Sequence, residues 1–80
     1  MMLHMHDQVY YWYMDGRMRS PVLLRGTIVG CDEKDTSRGI MYRVTNKCSR
    51  YEDLWLFGDE LYESLDDPRL NTRFFLVEGQ

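Results

Sequence analysis

Little in this chain is arranged for covalent chemistry. Of its 80 residues, two are cysteine, two proline and two histidine. Cys31 and Cys48 are far apart in sequence, so no zinc-ribbon or dithiol motif can be written. His4 and His6 are remote from Ser20, Ser37, Ser49 and Ser64, which excludes a local serine-nucleophile signature. No glycine-rich phosphate loop and no zinc-protease spacing occurs. No run approaches the roughly 20 apolar residues that cross a bilayer. The stretch before Asp7 lacks the continuous apolar core of a secretory leader. Basic charge is not in excess: 10 Lys and Arg stand against 13 Asp and Glu, a formal net charge of −3. That balance argues against a general binder of phosphate backbones. The expectation is a cytoplasmic protein with no cofactor, no membrane contact and no enzymatic centre.

What is present is β-forming material. Aromatics make up 14% and hydrophobic residues 44%, too many for a disordered chain. Eighty residues bound a single domain with a modest core, with residues 1–7 expected to fray. Two apolar-alternating runs, Val22 to Gly30 and Ile40 to Val44, flank the polar stretch Cys31 to Arg38 and read as an antiparallel hairpin. Parity puts Leu24, Gly26, Ile28 and Gly30 on one side of the first run and Leu23, Arg25, Thr27 and Val29 on the other. Matching Arg25 and Thr27 with Arg43 and Thr45 turns Leu24, Ile28, Tyr42 and Val44 inward. Gly26 and Gly30 mark places where the strand bends or another backbone comes close. In this reading Cys31 and Cys48 lie on the order of 26 Å apart, too far for a disulfide.

Gln8 to Met14 is a strongly β-prone run, apolar on both faces. Asp15-Gly16 is a hairpin turn signal, and Pro21 belongs at the start of the next strand. Thr45 to Asp53 is a polar turn region with Asn46 and Lys47 at its tip. Leu54 to Phe57 is a short strand closed by Gly58-Asp59. Glu60 to Ser64 is one further short strand or a turn with Tyr62 inward. Asp67 and Pro68 suit a helix start, and Arg73 to Glu78 suits a final strand. The fold expected is mainly all-β: a small five-stranded antiparallel β-barrel with a short helical turn near the C-terminus.

Candidate contact residues follow from chemistry. Tyr10, Trp12, Trp55 and Phe57 are aromatics of the kind enriched at interface hot spots. They form a cation-binding cage only if they converge. Asp32, Glu33 and Asp35 form an acidic loop able to hold a basic partner or imitate phosphate; the loop glycine and terminal Glu of a calcium site are missing. Arg17, Arg19, Arg25 and Arg43 offer a basic stripe for single-stranded nucleic acid, with stacking on the aromatics. An exposed Tyr10/Trp12 strand would also suit a homodimer. His4 and His6 lack a third metal ligand at motif spacing.

The succession of an aromatic strand, Asp-Gly, G-T-I-V-G (Gly26 to Gly30), a polar loop, G-I-x-Y-x-V (Gly39 to Val44) and D-E-L-Y-E-S (Asp59 to Ser64) resembles small β-barrels of the Src-homology, Tudor and KOW type. It is similar, more narrowly, to short proteins encoded by phages and prophages, over roughly residues 8 to 65. The resemblance implies a binding module without an active site. With small size and negative charge, it sets the expectation of a phage or mobile-element accessory protein that binds a protein partner, an anti-CRISPR inhibitor being its sharper form. Binding of single-stranded nucleic acid is the alternative.

Overall fold

A long strand that changes partners halfway organises the chain. The computed structural model describes residues 3–33, 39–48, 51–70 and 77–78. β1 (Gln8–Tyr13), β2 (Val22–Asp32), β3 (Met41–Thr45) and β4 (Leu54–Phe57) form an antiparallel sheet in the order β1-β2-β3-β4. The first half of β2 pairs with β1, from Tyr13↔Val22 to Gln8↔Thr27. The second half pairs with β3, from Thr27↔Thr45 to Asp32↔Met41. One strand thus belongs to both halves of a coiled half-barrel. Helix is nearly absent among the described residues: a single 3-10 turn, Gly58–Glu60, follows β4.

The hairpin register holds as far as Ile28↔Val44 and then slips by one residue, because Val29 has no partner and Gly30 stands opposite Arg43. This is a β-bulge, which bends a strand and increases its twist. It corrects the parity of Gly30. Without the bulge Gly30 would share the inner side with Ile28; with it, Gly30 joins the outer row of Arg43 and Trp55.

The inner face carries the core. Val9, Tyr11, Tyr13, Leu24, Ile28, Val44 and Leu61 are buried together, with Tyr42, Leu54 and Leu56 packed against them. Leu24, Ile28, Tyr42 and Val44 therefore lie inward as the parity requires, while Arg43 is exposed and Arg25 half-buried. Leu23, on the opposite face, is also fully buried, and Leu70 is buried; both lie outside the main cluster. Residues 3–7 make contact with the sheet. Leu3 packs against the core, and the His6 N–H donates to the Ile28 carbonyl at 2.8 Å.

Three expectations are refined in detail. Asp15-Gly16 is not a two-residue hairpin; it lies within the longer connection Met14 to Pro21, where the Asp15 carboxylate accepts the Arg17 N–H at 2.8 Å. The antiparallel fifth strand is replaced by two smaller contacts. Tyr62 makes an isolated antiparallel bridge to Tyr10, and β5 (Val77–Glu78) pairs with Leu23 and Leu24 of β2 in parallel. At Asp67-Pro68, the expected helix start, the described residues form a turn, with Leu70 N–H donating to the Asp67 carbonyl at 3.0 Å; residues 71 and 72, into which the expected helix runs, lie outside the described residues, as does most of the stretch Arg73 to Glu78.

Candidate functional site

After β4 the chain must turn sharply to return across the sheet, and this turn builds the most useful surface feature. Phe57 leaves the strand with its N–H donated to Glu60 Oε2 at 2.8 Å. The 3-10 turn then delivers Leu61 into the core and Tyr62 alongside β1. Tyr10 and Tyr62 exchange both backbone hydrogen bonds, at 2.7 and 2.9 Å. The apolar residue turned inward here is Leu61, and Tyr62 stays half-buried.

Between β1 and this returning segment lies an open groove of about 200 Å³, lined by Trp12, Leu56, Tyr62, Asp59 and Glu60. One indole, one phenol ring and one leucine supply apolar wall, and two carboxylates stand beside them. Arg69 holds the far side of the site. Its guanidinium stacks on the Tyr62 ring at 4.6 Å from the centroid, donates to the Asp59 carbonyl at 3.2 Å and the Leu61 carbonyl at 3.0 Å, and pairs with Asp67 at 2.8 Å. Hydrogen bonds from the Arg69 side chain and N–H hold the Asp67 carboxyl below the usual carboxylate range. The ring of Tyr62 is thereby braced on one face by Arg69.

The expected contact residues are dispersed. Trp12 lines the groove. Tyr10 is opposite Arg25 on one side and Tyr62 on the other, so the β1 edge proposed for a homodimer is occupied at that position. Trp55 stands in the outer row opposite Arg43, and Phe57 is opposite Met41. Asp32 ends β2, half-buried, and Glu33 is exposed; Asp35 lies outside the described residues. The arginines of the basic stripe are mostly engaged: Arg17 with Asp15 at 3.5 Å, Arg25 with the Gln8 side chain, and Arg43 with Asp53 at 3.0 Å. Arg19 is exposed in the connection before β2. Among the described residues no group of three His, Cys, Asp or Glu side chains is placed to hold a metal. Cys31 and Cys48 are free thiols.

Sequence reasoning named Trp12 but missed Leu56, Asp59, Glu60 and Tyr62 as its companions. The D-E-L-Y run was visible as a strand or turn; its folding back onto Tyr10 carries no local signal. Neither a protein-family model, nor a curated protein, nor a solved structure matches this chain.

Proposed function

We propose that this protein is a non-enzymatic protein-binding module, an accessory protein of a phage or mobile element acting in the bacterial cytoplasm. Inhibition of a host defence system, as by an anti-CRISPR protein that occupies a basic nucleic-acid site, is its sharper form. The observation that carries the reading is the groove in which Trp12, Leu56 and Tyr62 meet the carboxylates of Asp59 and Glu60. Aromatic wall beside negative charge suits an apolar or basic side chain from a protein surface. The net charge of −3 has the sign that attracts a basic partner. The Tyr10–Tyr62 bridge further supports a barrel closed by the returning segment, with Leu61 and Tyr62 serving as a minimal fifth strand.

The test compares wild-type chain, Trp12→Ala and Tyr62→Ala in affinity capture from a bacterial host, alongside salt-titrated binding to a single-stranded oligonucleotide. A partner retained by the wild type and lost by both variants, without oligonucleotide binding, is the expected result. Oligonucleotide affinity that falls steeply with salt and disappears in Trp12→Ala would transfer the assignment to nucleic-acid binding.

A further inference from the structure

The groove beside β1 is small. Its volume of about 200 Å³ falls below the roughly 300 Å³ at which pockets begin to enclose a drug-sized ligand, so it suits one side chain rather than a whole small molecule. Its walls differ in kind. Trp12 and Tyr62, both half-buried, offer ring surface, and Leu56 adds aliphatic surface. Asp59 and Glu60 supply carboxylates. An apolar guest would cover the rings but strip water from the carboxylates and return no hydrogen bond, which costs free energy. An anionic guest would meet charge of its own sign. A cation with a flat apolar face satisfies both kinds of wall.

The chain itself shows which cation fits such surroundings. The Arg69 guanidinium lies 4.6 Å from the Tyr62 centroid while its edge pairs with the Asp67 carboxylate at 2.8 Å. Arg69 does not line the groove, and hydrogen bonds from its Nε and Nη2 to Asp67 balance its charge locally. Glu60 is already oriented, because its Oε2 accepts the Phe57 N–H at 2.8 Å. A carboxylate has about four acceptor sites, so that bond leaves it able to accept from a guest. A guanidinium stacks on aromatic faces and donates in its own plane, whereas an ammonium is a compact, strongly hydrated point charge. We propose that the groove receives the side chain of an arginine on a partner protein, its guanidinium resting on Trp12 and Tyr62 and its edge donating to the Glu60 carboxylate. This inference rests on the protein-binding reading and names the residue type the groove selects.

The probes are end-blocked glycine peptides with a central arginine, lysine, citrulline or leucine, titrated into the isotope-labelled full chain. The arginine peptide is expected to shift the Trp12 indole N–H and the amides of Glu60 to Tyr62, and to leave the Trp55 indole in place. It should bind at least about tenfold more tightly at low salt than the citrulline peptide, which has the same shape without the charge, and about threefold or more above the lysine peptide. Glu60→Gln keeps an oxygen able to accept the Phe57 N–H, so the turn is retained while arginine affinity falls by about fivefold or more. Leucine, lysine or citrulline peptides binding as tightly as arginine, or Glu60→Gln without effect, would overturn the arginine assignment and leave the protein-binding reading standing. No shift at Trp12 and Tyr62 with the arginine peptide would overturn it too. Host capture that still depends on both rings would then preserve the protein-binding reading, and its absence would end both.

Discussion

At the residue scale, backbone and ring come closest to a glycine where Tyr11 passes Gly26. A Cβ on Gly26 would lie 2.6 Å from the Thr45 carbonyl oxygen and 2.7 Å from the Tyr11 ring. Backbone cannot yield there as a flexible side chain can, so Gly26→Ala should destabilise the protein by about 1–3 kcal/mol in urea unfolding. The Tyr11 hydroxyl is buried with no hydrogen-bond partner among the described residues. Burial, reinforced by the Asp53 and Tyr13 charges, pushes its pKa up to about 12. The unfolded chain releases that proton near 10, so the folded state binds more protons in between. The stability this contributes is whole below pH 10 and is lost as pH rises from 10 towards 12. Tyr11→Phe removes an orphaned polar group without opening a large cavity. It should leave stability unchanged or raise it by up to about 1 kcal/mol, and it should erase the highest phenolate step in an ultraviolet pH titration.

At the scale of elements, Asn46 does what no strand does: it ties the exit of β3 to the middle of β2. Its Nδ2 donates to the Arg25 carbonyl at 2.8 Å, and its Oδ1 accepts the Cys48 N–H at 2.7 Å. The side chain is buried. Asn46→Ala leaves both backbone groups to find new partners and should cost about 2 kcal/mol, measured as a lower urea midpoint at unchanged slope; Lys47→Ala, next to it and exposed, should cost almost nothing. The sequence marked this pair only as a turn tip, since a buried amide and a solvated one look alike in a polar stretch. What was legible was sidedness. Strand alternation placed Leu24, Ile28, Tyr42 and Val44 on the core side, because a one-residue slip would bury arginine. The bulge at Val29 was not legible, since an extra unpaired residue leaves the composition of the strand unaltered. The groove was half legible for the same kind of reason. Trp12 announces itself as a large aromatic, whereas the approach of Tyr62 depends on contacts between residues fifty positions apart in the chain.

At the scale of the whole molecule, the difficulty is that β2 is longer than either partner. β3 stops at Thr45, opposite Thr27, which leaves the edge of Leu23 and Leu24 uncovered on the side away from β1. β5 fills that gap, with Val77 and Glu78 paired in parallel to these two residues. Leu23 is fully buried although its parity assigns it to the outer face, and β5 borders it along the strand edge. β5 therefore closes the edge of β2 at one end of the sheet. A chain ending at Leu70 keeps the four antiparallel strands, the Tyr10–Tyr62 bridge and the Arg69 contacts, and should still fold. Losing the parallel pairs should cost on the order of 1 kcal/mol or more, lowering Tm by roughly 4–8 °C per kcal/mol for a domain of this size. Hydrogen exchange should locate the damage at the amides of Val22 to Leu24 and leave those of β3 and β4 protected. Equal Tm for the two chains, or a loss of protection spread evenly over all four strands, would show that β5 does not secure that edge.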